Sequence, residues 1–306
     1  MPEPNIKEGK LPFAYGSETY ETYYKVVGNL SSTSPAPLIF IHGAPGSCHD
    51  YGIPLYDIAT GEGARPVIFY DQIGSSRSTH LPEKPADFWT FDVFIAELQN
   101  LVRFFHVEDA FHLLGHSWGG QIAAELIVRH HPKGLKSVML SNTLTSSQEY
   151  RKSVREMEQA MGDEVWLPIE KHEREKTTED PEYIKAMMTF YEAHACRLKP
   201  FPQEIIFALS QKKGDGDKIW EAIKDNWFET WSVDDRIHLM DVPALLINGR
   251  YDYMSDVVCG PFFWKMDKVK WIKFAESSHM PFWEERERYM TVVRGFMYSA
   301  EQKLST

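Results

Sequence analysis

The sequence has only three cysteines, Cys48, Cys196 and Cys259, and they stand far apart along the chain. An odd number of widely spaced cysteines does not build a disulfide framework and is typical of reduced thiols inside a cell. No apolar run approaches the roughly 20 residues that a membrane-spanning helix needs. The first residues, Met1 to Asn5, lack the basic and then apolar pattern of a secretory signal. These absences predict a cytoplasmic protein.

Positive charge is also in deficit, because 33 Lys and Arg stand against 44 Asp and Glu, a formal net charge of −11. An acidic surface does not favour nucleic acid or an anionic membrane as a partner. No group of cysteines and histidines has the spacing of metal ligands, so we expect neither a metal nor a cofactor. The expected partner is a small-molecule or short-peptide substrate, and the sequence leaves the oligomeric state open.

Short apolar runs alternate with segments of helical periodicity, which predicts an α/β fold with a mostly parallel central sheet covered by helices. The runs are Leu38–Ile41, Val67–Tyr70, Ala110–Leu114, Val138–Leu140, Pro243–Gly249 and Val269–Phe274. The clearest helical periods span Phe91–Phe105 and Glu284–Tyr298. Tyr20–Val27 is a plausible first strand, and residues 1–19 are expected to be an irregular lead-in.

The middle of the chain differs in composition, with many charged and aromatic residues and no apolar run typical of a central strand. Its helical patterns are Tyr150–Met161, Pro181–His194, Pro202–Leu209 and Lys218–Trp227. We therefore predict an all-helical cap over residues 145–235, inserted into a core of residues 1–144 and 236–306. Insertions of this kind lie over the strand ends where substrates bind, so the cap is expected to set specificity.

The motif Gly-His-Ser-Trp-Gly at 115–119 lies between a predicted strand and a predicted helix. A G-x-S-x-G motif in that context is typical of a nucleophile elbow, a sharp turn that exposes the central serine. The flanking glycines suit the turn because a Cβ would clash where backbone approaches backbone. An ordinary glycine-flanked turn is the alternative, but the context favours Ser117 as a nucleophile.

Two further residues follow predicted strands in the order that such a serine requires. A serine hydroxyl needs an adjacent base, itself oriented by an acid, and in this arrangement the acid precedes the base along the chain. Asp252 follows the strand that ends at Gly249, and His279 follows the strand that ends at Phe274. We predict Ser117, Asp252 and His279 as a catalytic triad, with Asp256 as a nearby rival for the acid.

Acyl transfer through a serine also needs two backbone N–H donors for the oxyanion of the tetrahedral intermediate. One is predicted at Trp118, immediately after the nucleophile, and the other in the loop after Leu38–Ile41. In that loop Pro45 has no N–H, so Ala44 is the best-placed donor. Gly43 is expected to line the substrate site.

Several stretches of the chain resemble the prolyl iminopeptidase family of α/β-hydrolases, particularly its tricorn-associated aminopeptidase branch. They are HGAPG at 42–46, FYDQIGSSRS at 69–78, GHSWGG at 115–120, EDPEYIKAMMTFYEAH at 179–194, GRYD at 249–252 and SSHMPFWE at 277–284. The resemblance covers nearly the whole chain. It implies the α/β-hydrolase fold and a serine hydrolase that releases an N-terminal residue, often proline, from short peptides or amino-acid amides. Asp71 and Arg77 are expected to be a buried pair that holds a loop.

The resemblance also implies that carboxylates recognise the free amine of the substrate. Spacing from the triad acid matches Glu221 to one of them, although Glu221 also fits a solvated helix face. The second family glutamate directly follows the triad aspartate, and here Tyr253 stands at that substrate-binding position, without a negative charge at neutral pH. This departure keeps an esterase, lactonase or amidase of a small non-peptide metabolite as the alternative. A non-catalytic ligand-binding homologue is a remote third.

Overall fold

The computed structural model describes residues 4–31, 33–212, 214–224 and 228–303. Within these ranges the strands are β1 (Ile6–Tyr15), β2 (Glu18–Val27), β3 (Leu38–Ile41), β4 (Val67–Tyr70), β5 (Phe111–His116), β6 (Leu135–Ser141), β7 (Ala244–Gly249) and β8 (Val269–Phe274). They form one sheet in the order β1-β2-β4-β3-β5-β6-β7-β8. β3 to β8 pair in parallel, whereas β1 pairs with β2, and β2 with β4, in the antiparallel sense.

Eleven α-helices lie in the described ranges, with a 3-10 helix at His49–Ala59. They are α1 (Phe91–Phe104), α2 (Trp118–His130), α3 (Ser147–Ala160), α4 (Asp163–Glu175), α5 (Pro181–His194), α6 (Gln203–Ser210), α7 (Asp215–Ile223), α8 (Asp256–Cys259), α9 (Pro261–Lys265), α10 (Pro281–Glu284) and α11 (Arg286–Lys303). None of the described helices is long and apolar enough to cross a membrane.

Both faces of the sheet are buried, which the unbroken apolar run of β3 illustrates. Ile39 and Ile41 pack into the core under α1 and α2, whereas Leu38 and Phe40 pack into the core under the 3-10 helix and α11. Successive side chains of a strand point to opposite faces, so a strand covered on both sides reads as continuously hydrophobic. The predicted α/β fold with a mostly parallel, helix-covered sheet is confirmed.

The prediction of an irregular lead-in over residues 1–19 is wrong, because residues 6–15 form β1 at the edge of the sheet. Only Leu11 and Phe13 of its ten residues are buried, two positions apart on one face, and the strand contacts α1 and its hairpin partner β2. An edge strand with one solvated face shows only a period-2 signal, which two apolar residues carry weakly. Gly16, at φ +61°, makes the tight turn between the two strands.

Between β6 and β7 the structure describes the helices α3 to α7 and a short 3-10 helix at Ile237–Leu239, and an isolated antiparallel bridge pairs Ser146 with Ser232. The helix α5 has the predicted bounds, α4 has no counterpart in the sequence prediction, and α7 begins three residues before the predicted helix. Residues 225–227 of that predicted helix lie outside the described ranges. The division at residues 145 and 235 stays a prediction.

Candidate active site

Ser117 lies between the end of β5 and the first residue of α2, in a backbone conformation that L-residues rarely adopt. Its φ of 54° and ψ of −120° fall outside the helical and extended regions. Three hydrogen bonds hold the turn: Ser117 N–H donates to the Ser141 carbonyl (2.9 Å), and the Ser117 carbonyl accepts from Thr143 Oγ1 (2.7 Å) and Gly120 N–H (2.9 Å). Such strain persists only where the surrounding contacts impose it. The serine is therefore fixed at the tip of the central strand.

The glycines around this turn are required by close backbone approach. A Cβ on Gly115 would lie 2.5 Å from the Gly119 carbonyl oxygen, and one on Gly119 would overlap the Ile41 carbonyl. A Cβ on Gly43 would come within 2.8 Å of the Ser117 Cβ. The elbow thus packs directly against the loop that follows β3, where the predicted oxyanion donor lies.

The predicted acid and base meet at the same edge of the sheet. His279 Nδ1 donates a hydrogen bond to Asp252 Oδ1 at 2.8 Å, and both side chains are buried. Asp256, the rival acid, instead accepts from Lys273 Nζ and Asn248 Nδ2 and starts α8. The structure therefore pairs His279 with Asp252.

Asn142, which follows β6, holds the second oxygen of the acid and was missed by the sequence reasoning. Its Nδ2 donates to Asp252 Oδ2 (2.6 Å) and to the Ser278 carbonyl (3.2 Å). Met254 N–H donates to Asp252 Oδ1 at 2.9 Å. Both carboxylate oxygens therefore accept hydrogen bonds, which fixes the face that Asp252 presents to His279. The available signal in the sequence was the position of Asn142, a polar residue directly after a predicted parallel strand.

A second missed group, Tyr51, links the loop after β3 to the base. Gly43 N–H donates to the Tyr51 hydroxyl, which donates to His116 Nδ1 at 2.9 Å. His116 Nε2 then lies 2.9 Å from the His279 carbonyl oxygen and donates to it. Burial, followed by the nearby His279, holds the pKa of His116 well below its usual range, so the ring is neutral. This chain of hydrogen bonds connects both sides of Ser117.

Replacing Tyr51 with phenylalanine is expected to lower the free energy of unfolding by about 1 to 3 kcal/mol, because it leaves a buried N–H and a buried imidazole nitrogen without partners. The turnover of any ester substrate should also fall, by about 10- to 100-fold, because small displacements of catalytic loops are costly. Urea unfolding and kcat/KM measure the two effects. Tyr56→Phe is the matched control, since the Tyr56 hydroxyl bonds to no described residue. Equal effects of the two variants would contradict the assignment.

The two predicted oxyanion donors lie on either side of Ser117. Ala44 has a left-handed backbone (φ 49°), and its N–H donates to none of the described residues, whereas Gly43 N–H is committed to Tyr51. Trp118 is the first residue of α2, where the helix dipole favours negative charge. Its indole Nε1 donates to Gln72 Oε1 at 2.9 Å, and Gln72 Nε2 donates to the His42 carbonyl. The indole thereby ties the elbow to the loop after β3.

Asp71 and Arg77 form the predicted pair, but only Asp71 is buried, since the Arg77 side chain is 31% exposed, and the structure adds two partners. Arg77 binds Asp71 Oδ2 and Asp50, each at 2.8 Å, while His49 Nδ1 donates to Asp71 Oδ1 at 2.6 Å. Burial alone would raise the pKa of Asp71, but His49 and then Arg77 hold it well below its usual range. The cluster fixes the loops after β3 and β4 against each other.

The described residues contain two groups whose atoms lie close enough to share a metal ion. They are Cys48 with Asp50 and Asp71, and His172 with Asp180 and Glu182. In the first, both carboxylates already pair with Arg77, and in the second Glu182 pairs with Lys171 on the surface. Neither group calls for an ion, and the absence of a metal stays a prediction.

Tyr253 lies against the catalytic base. Its ring stacks on His279 with a centroid distance of 4.2 Å and an interplanar angle of 27°. Burial raises the pKa of its phenol well above the usual value, so Tyr253 is neutral. The residue borders the site, as predicted, but presents an aromatic face where a carboxylate would attract an amine.

Glu221 is not brought to the triad by the described contacts. It lies on the exposed face of α7 and lines a cavity of about 290 Å³ between α7 and the loop after β4. The residues lining this cavity include Gly74, Trp89 and Lys218, and none of Ser117, Asp252 and His279 is among them. A role for Glu221 in binding an amine stays a prediction.

Comparison with known proteins agrees with this geometry. The model of the alpha/beta hydrolase fold family matches residues 36–286, which defines the class of the protein as an α/β hydrolase. A proline iminopeptidase of Lactobacillus helveticus is 30% identical over 300 residues, covering 95% of this chain and 98% of that protein. The chain belongs to the proline iminopeptidase family of α/β hydrolases.

Two solved structures are similar over nearly their whole length. VinJ superposes with a TM-score of 0.87 at 31% identity, covering 95% of this chain and 99% of that one. The proline iminopeptidase of Mycobacterium smegmatis has a TM-score of 0.86 at 30% identity, covering 97% and 100%. The resemblance read from the motifs is thereby confirmed at the level of family, and the protein is a hydrolase.

Proposed function

We propose that this protein is a serine hydrolase of the proline iminopeptidase type, which releases an N-terminal residue, proline preferred, from short peptides or amino-acid amides. The observation that carries the proposal is the strained Ser117 elbow beside the buried His279–Asp252 pair, in a chain related over its full length to proline iminopeptidases. The proposed partner is a small-molecule or short-peptide substrate, with no nucleic acid and no membrane.

The proposed reaction proceeds through an acyl-enzyme. Ser117 Oγ attacks the scissile carbonyl while His279 Nε2 takes its proton and then delivers it to the leaving amine. Asp252 accepts a hydrogen bond from His279 Nδ1–H, so Nε2 is the nitrogen that accepts the serine proton. The Asp252 carboxylate also stabilises the imidazolium that forms. The N–H groups of Ala44 and Trp118 bind the oxyanion. Water then hydrolyses the ester by the same steps, with His279 as the base.

A substrate panel tests the proposal. Prolyl β-naphthylamide should be cleaved with a higher kcat/KM than both alanyl β-naphthylamide and cyclopentanecarbonyl β-naphthylamide, which keeps the ring shape but lacks the amine. We expect a preference of about tenfold or more over the amine-free analogue, since an amine that binds a charged partner contributes about 1.5 to 3 kcal/mol. Turnover of p-nitrophenyl acetate without turnover of any amino-acid amide would contradict the proposal.

One observation favours an esterase, lactonase or amidase of a non-peptide metabolite as the second candidate. The position where the family resemblance implies a glutamate holds Tyr253, whose neutral ring covers His279. The same panel on Glu221→Gln, with exposed Glu229→Gln as the control, discriminates the candidates. A selective loss on amine-bearing substrates in Glu221→Gln would support the peptidase.

We also propose that the protein works in the cytoplasm. The three cysteines are free and buried, and burial raises the pKa of the Cys196 thiol to about 12. Inert reduced thiols suit a reducing compartment. Fractionation of the source cells tests this, and recovery outside the cytoplasm would contradict it.

A further inference from the structure

The cap helix α3 carries a carboxylate on its inward face. Tyr150, Val154, Met157 and Met161 follow the spacing of one helix face and pack inward, and Glu158 lies on the same stripe. Glu158 retains only 6% of its exposure, whereas its neighbours Glu156 and Gln159 are exposed. A charged residue at an apolar stripe position is unfavourable for the cap unless it meets a partner.

The described residues supply no such partner. The Glu158 carboxylate makes no hydrogen bond and no ion pair with any of them. The closest cation along the helix, Arg155, is turned toward Glu173 of α4 and lies over the ring of Trp166. Glu173 of α4 is the other charged group that acts on Glu158, and it is also a carboxylate. Tyr183 and Tyr191 pack in the same cluster as Val154, Met157 and Met161 of α3. A buried carboxylate beside a second carboxylate and aromatic side chains is suited to a cation.

The helix that carries Glu158 also contacts the region of the triad. Burial is the main cause of the raised pKa of Tyr150, and the charges of Glu158 and Asp252 both raise it further. The ring of Tyr150 lies 6.2 Å from that of Tyr253, and Tyr253 stacks directly on His279. Two aromatic contacts thus lead from the helix that carries Glu158 to the catalytic base.

We propose that Glu158 is the cap residue that binds an ammonium group of the substrate, with the surrounding tyrosine rings completing the subsite. The inference rests on the proposed function, since it presupposes a substrate that carries an amine. The ammonium group is either the α-amine of the residue released or the side-chain ammonium of a basic residue. In either case Glu158 supplies a negative charge in the cap that Tyr253 does not.

The test compares wild type, Glu158→Gln and the matched control Glu156→Gln, which removes an exposed carboxylate from the same helix. Two substrate pairs report on the amine: prolyl against cyclopentanecarbonyl β-naphthylamide, and lysyl against norleucyl β-naphthylamide. Hydrolysis of p-nitrophenyl acetate and the melting temperature report on the integrity of the triad and the fold. In Glu158→Gln, kcat/KM for the prolyl or the lysyl substrate should fall about 30-fold more than kcat/KM for p-nitrophenyl acetate. The reason is that truncating a buried charge pair costs at least about 2 kcal/mol.

The outcomes separate cleanly. A selective fall in the prolyl pair assigns the α-amine, and a fall confined to the lysyl pair assigns the side-chain ammonium. If wild type cleaves amine-bearing substrates and Glu158→Gln does so with unchanged preference, the inference is overturned while the proposed function stands. If wild type cleaves only the ester, the proposed function itself fails and the inference falls with it.

The pH dependence gives an independent readout. Burial, followed by the nearby Glu173, raises the pKa of Glu158 to about 7, and Arg155 opposes them. The carboxylate therefore gains its charge as pH rises through that value. The ratio of kcat/KM for the amine substrate to that for p-nitrophenyl acetate, in which ionisations common to both reactions cancel, should rise between pH 6 and 8 in wild type. It should stay flat in Glu158→Gln, and equal slopes would count against the subsite.

Discussion

Replacement of Ser117 by alanine is expected to lower kcat by about 10⁵-fold or more, equivalent to roughly 7 kcal/mol of transition-state stabilisation. The reason is that, in the proposed mechanism, His279 has no nucleophile to deprotonate without the Ser117 hydroxyl, so the tetrahedral intermediate that the oxyanion donors stabilise does not form. Steady-state turnover of p-nitrophenyl acetate and labelling by a fluorophosphonate probe measure the loss. A variant that still forms a covalent adduct would place the nucleophile elsewhere.

Stability gives the control for that experiment. The Ser117 backbone has a φ of 54°, where a Cβ is disfavoured, so Ser117→Ala keeps the strain and should leave the melting temperature nearly unchanged. Ser117→Gly removes the Cβ and should raise the free energy of unfolding by about 1 kcal/mol or more while being equally inactive. Opposite changes in stability and activity are expected where strain serves a site. A large destabilisation of both variants would instead indicate a structural role.

The parts of the fold and site that the sequence predicts are those with a local signal. β3 and β4 have the predicted bounds because a doubly covered strand is an unbroken apolar run. The elbow is readable because its two glycines and the serine are contiguous in the chain, although the backbone that crowds Gly119 belongs to the distant Ile41. Asp252 and His279 are readable because each follows a predicted strand, and parallel strands bring their carboxyl ends to one edge.

The parts that sequence reasoning missed depend on contacts between distant segments. Tyr51 lies in a 3-10 helix after the HGAPG loop, and only the folded chain shows that its hydroxyl bridges Gly43 and His116. Glu158 reads as one charge among many on α3 until burial singles it out. Spacing in the chain says nothing about the direction in which a cap helix faces, so the role of Glu221 in binding an amine stays a prediction. Polar contacts between distant segments leave no periodic pattern in the sequence from which they could be predicted.

Substituting Asp252 with asparagine is expected to lower kcat by about 10⁴-fold with little change in KM, because the amide cannot satisfy its neighbours and His279 at once. Oδ1 accepts from His279 Nδ1–H and Met254 N–H, and Oδ2 accepts from Asn142 Nδ2. An amide offers one acceptor and one donor. If the NH₂ group of the new amide points toward Asn142, it meets the NH₂ group of Asn142, and two donors face each other. If it points toward His279, it donates to Nδ1, and the proton of the imidazole moves to Nε2. In that tautomer Nε2 cannot accept the serine proton.

The double variant Asp252→Asn with Asn142→Asp separates orientation from charge. A carboxylate at position 142 accepts from the new amide, so that the amide oxygen again faces His279 and restores the tautomer. We expect this exchange to recover about tenfold or more of the lost kcat, since the orientation of the base is repaired while the charge beside it is not. Asn142→Asp alone should be impaired, because it places two carboxylates against each other in a buried site. An exchange variant no more active than Asp252→Asn would show that the carboxylate charge, rather than the tautomer, is the contribution of Asp252 to catalysis.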